Sequence, residues 1–151
     1  MNAGCELCRH DGGRVLWREA ALRVVLADDP AYPGLLRVVW NAHVREMSDL
    51  AADERERLMA AVFAAELALR QVLAPHKVNL ASLGNVTPHL HWHVIARYPD
   101  DAHFPQPIWG ARQREPDRAA LAQRVAKLEG LEPALLRLLG AKAALPAGPK
   151  R

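Results

Sequence analysis

Short apolar runs separated by turn residues fill the first 40 positions of the chain. Between Val15 and Leu26, two apolar clusters flank a polar turn, which predicts a pair of strands. The segment 28–34 is rich in Asp, Pro and Gly and interrupts any strand. Residues 35–40 predict a third strand, and residues 41–50 have no clear period, which indicates a structured loop.

A longer period follows between Ala52 and Leu73. Apolar residues recur there every three or four positions, as on one face of a helix: Leu58, Val62, Ala65, Leu69 and Val72. Asp53 and Glu54 fall in the first turn, where the helix dipole favours acidic side chains. The pattern therefore predicts one long helix after the three strands.

Two further strands are predicted after this helix. The first covers Val78 to Leu83, and the second covers His89 to Tyr98, where apolar and polar residues alternate. A polar turn at 84–88 separates them. The order β-β-β-α-β-β predicts an α+β domain with a mainly antiparallel sheet and one long helix packed on it.

The last third of the chain predicts a loop, two helices and a tail. Residues 100–110 are rich in proline, which indicates an ordered loop near the end of the histidine-bearing strand. Pro116 begins a helix that ends at Gly130, and a shorter helix over 133–139 ends at Gly140. Residues 141–151 are predicted to be a flexible tail, so that a single domain covers residues 1–140.

Composition narrows the class of protein. A chain of 151 residues that is 50% hydrophobic and 25% charged fits one globular domain. Its apolar runs fall short of the roughly 18 residues that a membrane span needs, and the first residues lack a signal-peptide pattern, so we expect a cytoplasmic protein. The balance of 20 basic to 17 acidic residues is mild and disfavours nucleic-acid binding.

Three histidines alternate in the fifth predicted strand. On a strand, His89, His91 and His93 would share one face, and the apolar residues between them would share the other. Clustered imidazoles can hold a catalytic zinc ion that keeps one position open for water. Alternatively, one imidazole can act as a nucleophile while its neighbours orient it and bind the substrate's charge.

The local sequence favours the second alternative. The segment His-Leu-His-Trp-His-Val-Ile, residues 89–95, resembles the signature of the histidine triad superfamily. The resemblance extends over residues 5–110 and includes His43 in a loop, the long helix and the Gly-Asn-Val-Thr-Pro approach to the motif. It is greatest to the bacterial members described as diadenosine tetraphosphate hydrolase-like, and it implies a HIT-like fold.

The resemblance implies nucleotidyl transfer at the α-phosphate of a dinucleoside polyphosphate, mixed anhydride or nucleoside phosphoramidate. By position, His91 would be the nucleophile, His93 would contact the phosphate and His89 would lie toward the leaving group. A neutral imidazole can attack without prior deprotonation if the other ring N–H is held by an acceptor. A nucleotide-binding regulator with slow turnover remains an alternative. Superfamily members of this size are commonly homodimers, so a homodimer is also expected.

The resemblance also suggests contacts to the nucleotide. Asn85 holds the position of an amide that binds phosphate oxygens, and Asn79 is a second candidate for phosphate or ribose. Asp28 or Asp29 would meet the ribose, although both also suit turn formation before Pro30. We expect Trp109 and the proline-rich loop to border the site, with packing in the core or at a dimer contact as the alternative.

A pair of cysteines near the N-terminus predicts a separate zinc site. Cys5 and Cys8 supply half of a tetrahedral site. The resemblance to bacterial triad proteins with the same C-x-x-C pair implies His43 and His89 as the remaining ligands. Such a zinc ion would be structural and would not take part in the chemistry. The competing interpretation is a pair of reduced thiols, with His43 hydrogen-bonded beside the triad.

Overall fold

The computed structural model describes Asn2 and residues 4–140, so the predicted tail at 141–151 lies outside the described residues. Four helices and five strands follow one another along the chain: α1 (Glu6–Arg9), β1 (Arg14–Arg18), β2 (Leu22–Leu26), β3 (Leu36–Trp40), α2 (Ala52–Leu73), β4 (Lys77–Ala81), β5 (His91–Arg97), α3 (Arg118–Val125) and α4 (Leu131–Leu139). Short 3-10 turns lie at Met47–Asp49 and Leu128–Gly130.

The five strands form one antiparallel sheet in the order β1-β2-β3-β5-β4, which confirms the predicted α+β architecture. β5 therefore lies between β3 and β4. In this register His93 of β5 is the cross-strand partner of Arg37 on β3 and of Ala81 on β4. Cross-strand partners share a face of the sheet, so these three residues point to the same side.

The two faces of the sheet are covered differently. Helix α2 packs its buried apolar side against one face, where Val24, Val38 and Val94 belong to the main core. On the other face, two smaller clusters form around Ile95 and around Val39, which packs against Leu7 of α1. The sheet is therefore stabilised mainly by α2, and its second face is partly available for a site.

The predicted bounds of α2 are confirmed, but those of the last two strands are not. β4 ends at Ala81 rather than Leu83, and β5 begins at His91 rather than His89. The backbone N–H of Leu90 donates to the carbonyl of Val44 in the loop after β3, so that only its carbonyl, which accepts from the N–H of Trp40, continues the pairing with β3. His89 consequently lies just outside the strand, and the expectation of three histidines on one strand is wrong.

The short helices also differ from their predicted bounds. α3 begins at Arg118 because Asp117 caps it, accepting hydrogen bonds from two backbone N–H groups. α4 begins at Leu131, which places Pro133 in its first turn, where the missing N–H costs no helical hydrogen bond. α1 was not predicted, because four residues are too few to show a helical period. None of the described helices has the length and apolar character needed to cross a membrane.

Candidate active site and metal cluster

His91 stands at the start of β5 with its imidazole buried on the face opposite α2. Its Nδ1 lies 2.6 Å from the backbone carbonyl oxygen of His89. Because a carbonyl only accepts, this Nδ1 carries the ring proton and donates it. The Nε2 atom of His91 is then left with an unprotonated lone pair, which is the form of imidazole that can attack an electrophile.

His93 lies next to this lone pair. Its Nε2 is 3.1 Å from the Nε2 of His91, so the His93 nitrogen is the donor in that contact. The His93 Nδ1 is buried and has no hydrogen-bond partner among the described residues. The His93 ring also meets the edge of Trp109, with the ring centroids 5.1 Å apart.

Both imidazoles are held neutral at physiological pH. Burial is the largest cause that lowers the pKa of His91, and the positive charge of Arg37 adds to it. Burial, followed by the neighbouring His91 and Arg37, lowers the pKa of His93 to about 4. The ring of His91 is therefore available as a nucleophile without losing a proton first.

A cavity of about 450 Å³ opens over the two histidines. Its walls come from α1, β3, the loop after β4 and the proline-rich loop, and they include Leu7, Arg37, Asn85, Thr87 and Trp109. The turn into the loop after β4 is made at Gly84, whose φ of 71° is a backbone conformation that favours glycine. Side chains with amide, hydroxyl, guanidinium and indole groups thus line the cavity together with His91.

Two of the predicted nucleotide contacts lie elsewhere. The Oδ1 atom of Asn79 accepts a hydrogen bond from Arg97 at 2.5 Å, and Asn79 lines a neighbouring cavity of about 710 Å³ that also includes Trp109. Asp28 is exposed and lines neither of these cavities. The carboxylate of Asp29 accepts from the N–H of Ala31 at 3.0 Å, as a turn-forming residue does.

The structure brings Cys5, Cys8, His43 and His89 together, with one donor atom of each within 4.8 Å of the others. The His89 Nδ1 lies 3.3 Å from the Cys5 Sγ and 3.5 Å from the Cys8 Sγ, which itself is 3.4 Å from the His43 Nδ1. Tetrahedral zinc with ordinary Zn–S and Zn–N bonds sets its sulfur and nitrogen ligands about 3.6 Å apart. The four residues therefore fit a zinc ion.

The ring of His89 is oriented for this cluster. Its Nε2 lies 2.6 Å from the carbonyl oxygen of Trp40, so Nε2 carries the proton and Nδ1 presents a lone pair to the two thiols. The residue is 1% exposed and does not line the cavity over His91. His89 thus faces the cysteines rather than the cavity over His91.

Sequence reasoning missed the buried residue Arg23, which holds the cysteine-bearing segment on the sheet. Its guanidinium donates to the backbone carbonyls of Leu7 at 2.8 Å and of Asp11 at 3.0 Å, and to the side chain of Asn41 at 2.8 Å. Burial lowers its pKa, against the opposing effect of Asp11. The available signal was a charged residue inside the apolar run of β2.

A second buried arginine, also missed, holds the proline-rich loop. Arg97 is 1% exposed, and its Nε donates to Asp101 at 2.8 Å while its Nη2 donates to the carbonyl of Gln106 at 2.7 Å. Burial opposes ionisation of Asp101, but Arg97 and three backbone N–H groups outweigh it and lower the pKa of Asp101. This network fixes the loop that presents Trp109.

The sequence of the chain is similar to those of known proteins. Residues 12–100 match the protein family described as the HIT domain. A curated relative from Mycobacterium tuberculosis, called AP-4-A phosphorylase, is 34% identical over 106 residues, which is 66% of this chain. The chain spans about half, 54%, of the length of that relative.

Solved structures share the fold. A histidine triad protein from Bradyrhizobium japonicum matches with a TM-score of 0.68 and 28% identity, over 83% of this chain and 92% of its own. A zinc-bound histidine triad family protein from Mycobacterium smegmatis matches with a TM-score of 0.64 and 21% identity, over 92% of this chain and 98% of its own.

Proposed function

The chain belongs to the HIT domain family, and we propose that it is an enzyme that cleaves nucleotides at the α-phosphate through a nucleotidyl intermediate on His91. The observation that carries this proposal is the lone pair of the His91 Nε2, which is fixed by the bond from Nδ1 to the His89 carbonyl and accepts from the His93 Nε2 beside a cavity that both histidines line. The name of the mycobacterial relative, AP-4-A phosphorylase, supports a dinucleoside polyphosphate as the substrate.

In the first step, the His91 Nε2 forms a bond to the α-phosphorus, and the bond from phosphorus to the leaving group breaks with its electron pair going to that group. The Nε2–H of His93 can then hydrogen-bond to a phosphate oxygen or to the departing atom. In the second step, water attacks the phosphorus and the P–N bond breaks, which restores His91 and releases a nucleoside monophosphate.

The remaining residues of the cavity would stabilise the charge that develops on phosphate. Asn85 and Thr87 supply an amide and a hydroxyl, and Trp109 supplies an aromatic wall. Asn79 would donate through its Nδ2, because its oxygen is already bonded to Arg97. Asp28 stays outside the proposal because it is exposed and does not line the cavity.

We also propose a structural zinc ion held by Cys5, Cys8, His43 and His89. Four protein ligands complete a tetrahedral site and leave no position for water, which suits a structural ion. When bound, zinc would fasten α1 to the loop after β3. The zinc-bound relative from Mycobacterium smegmatis supports this assignment. The alternative of a catalytic zinc held by the three motif histidines is disfavoured by the turn of His89 toward the cysteines.

A product survey tests the proposed reaction. The protein is incubated with diadenosine tetraphosphate or adenosine phosphoramidate, with and without inorganic phosphate, beside His91→Ala. We expect adenosine monophosphate from the wild type, and adenosine diphosphate would appear instead if phosphate replaces water in the second step. Equal, background release by wild type and His91→Ala on both substrates would overturn the proposal.

We further propose a homodimer that uses the free edge of β4. In the described sheet β4 pairs only with β5, and an unpaired edge strand readily accepts another chain. Helix α2 also exposes Phe63 (54%) and Leu67 (42%). Light scattering should give twice the chain mass, and a monomer at micromolar concentration would count against this assembly.

A further inference from the structure

Arg37 enters the cavity beside the two reactive histidines. It lies on β3 as the cross-strand partner of His93, on the same face of the sheet, and it lines the cavity together with His91 and His93. Arg37 lies outside the histidine motif, which covers residues 89–95. Its position follows from the sheet order, because β3 is the neighbour of β5.

The charge of Arg37 has no ion-pair partner among the residues that the structure describes. Its Nη1 donates to the carbonyl of Gly12 at 2.9 Å, which orients the guanidinium. Its Nε is buried and makes no hydrogen bond within residues 4–140, and within the same residues the guanidinium forms no ion pair. Glu6, the acidic residue that also lines the cavity, is exposed and is not bonded to it.

Unpaired donors on a guanidinium whose Nε is buried are costly unless something accepts them. A planar guanidinium matches the oxygens of a phosphate, with which it forms charge-assisted and often bidentate hydrogen bonds. The cavity therefore contains a built recognition group for an anion at its β3 side. Asn85 and Thr87 approach from the loop after β4, on the other side of β5 in the sheet.

We propose that Arg37 binds a phosphate of the leaving group, so that the site prefers substrates whose displaced group is itself phosphorylated over those that release a neutral amine. This inference rests on the proposed function. The neutral donors of His93, Asn85 and Thr87 suffice for the singly charged α-phosphate. A full positive charge on the β3 side instead stabilises the negative charge that a departing nucleoside polyphosphate gains when the anhydride bond breaks.

The test compares two substrates that share the adenylyl group. The value of kcat/KM is measured for diadenosine tetraphosphate and for adenosine phosphoramidate in wild type, Arg37→Met and Arg37→Lys. Arg45→Met serves as the matched control, because Arg45 is an exposed arginine in the loop after β3. Loss of one charge-assisted contact should lower the rate with diadenosine tetraphosphate by about 30-fold in Arg37→Met.

The same variant should lose less than about threefold with the phosphoramidate, and Arg37→Lys should restore part of the lost rate. Equal losses on both substrates would place Arg37 at the α-phosphate and overturn the selection of leaving groups. No loss on either substrate would show that Arg37 does not contact the nucleotide. Thermal melts that agree with the wild type would confirm that the variants are folded, and Arg37→Gln replaces Arg37→Met if that variant unfolds.

A binding measurement separates this inference from the proposed reaction. If the wild type turns over neither substrate, the proposed function has failed, and binding of inorganic pyrophosphate is then measured by calorimetry. A Kd that weakens at least about tenfold in Arg37→Met and not in Arg45→Met would support a phosphate-binding role of Arg37. Equal binding by the wild type and Arg37→Met would overturn it.

Discussion

His89 and His91 are separated by one residue, yet their rings enter different surroundings. The ring of His89 faces two thiols and lies against His43 in the cluster near the N-terminus. The ring of His91 faces His93 and the cavity. The two regions meet in the backbone, because the carbonyl of His89 accepts the ring proton of His91.

The two rings have the same hydrogen-bond pattern, but their lone pairs face different groups. Each donates one N–H to a backbone carbonyl, at Trp40 and at His89 respectively, and presents a lone pair on its other nitrogen. A lone pair that meets thiols and a second imidazole suits a metal ion. A lone pair that meets only the N–H of His93 at the side of a cavity suits attack on a substrate. The surroundings of each ring, rather than the imidazole itself, thus decide whether it suits metal binding or attack on a substrate.

The largest effect is expected on the cavity side. His91→Ala should lower kcat/KM by about 10³-fold or more, because the covalent route is lost, and should leave the melting temperature nearly unchanged. Steady-state kinetics and a thermal melt give the two values, and His10→Ala, at an exposed histidine, is the control. A variant with more than about a tenth of wild-type activity, or roughly 1.4 kcal/mol of added barrier, would exclude His91 as the nucleophile.

Variants of the cysteine and histidine cluster should lose stability more than activity. Cys8→Ser should lose the zinc ion and reduce the free energy of unfolding by about 3 kcal/mol or more, since metal binding contributes to folding. The rate per folded molecule should fall by less than about tenfold, because the attacking lone pair lies outside the cluster. Elemental analysis, thermal melts and kinetics on the same preparation check all three. A metal-free wild type purified without chelators would dispose of the zinc site and leave His91 unaffected.

Arg23 supports the metal-ligand cluster without being one of its four residues. Arg23→Met should destabilise the fold by about 2 kcal/mol, since the carbonyls of Leu7 and Asp11 lose their buried donor. It should also weaken zinc binding, which competition with a chromophoric chelator would measure. Arg9→Met, at an exposed arginine of α1, should change neither value. Unchanged zinc affinity in Arg23→Met would mean that the cysteine segment is positioned without this arginine.

A smaller effect concerns pH on the cavity side. Burial lowers the pKa of His93 to about 4, below the value of 6.5 that it has when exposed. The unfolded chain therefore binds a proton at this residue between pH 6.5 and 4 that the folded chain does not, so this contribution to stability is full above pH 6.5 and is lost as pH falls. His93→Gln should reduce the loss of stability between pH 7 and 5 by about 1–2 kcal/mol. Identical pH dependence in both proteins would contradict the buried, neutral state of His93.

Much of the fold could be predicted from local pattern. The bounds of α2 were correct because its apolar residues repeat over six turns, and the succession of the five strands along the chain followed from alternation and turn residues. The start of β5 could not be predicted, because it depends on the bond from Leu90 to Val44, a contact with a distant loop. The residues next to Leu90 in the sequence do not indicate this contact with a loop that is far away along the chain.

The site shows the same limit. The motif marked His91 and His93, and the cysteine pair marked one half of the cluster that the structure assembles. Arg37 reads in the sequence as an ordinary polar position of an alternating strand, and its place beside His93 depends on β3 and β5 being neighbours in the sheet. Asp28 is the opposite case. The turn that contains it was predicted, but the sequence does not show where that turn lies relative to the cavities, and Asp28 lines neither of them.

A covalent bond to His91 is the central step of the proposed reaction, and trapping that bond tests it most directly. The protein is mixed with diadenosine tetraphosphate labelled in the α-phosphate, quenched in alkali, where phosphorus–nitrogen bonds persist, and digested for mass spectrometry. If His91 is the nucleophile, we expect one adenylyl group on the peptide that contains His91. This group should be present in wild type and Cys8→Ser and absent in His91→Ala. Turnover with no protein-bound nucleotide, or with the label on another residue, would contradict it.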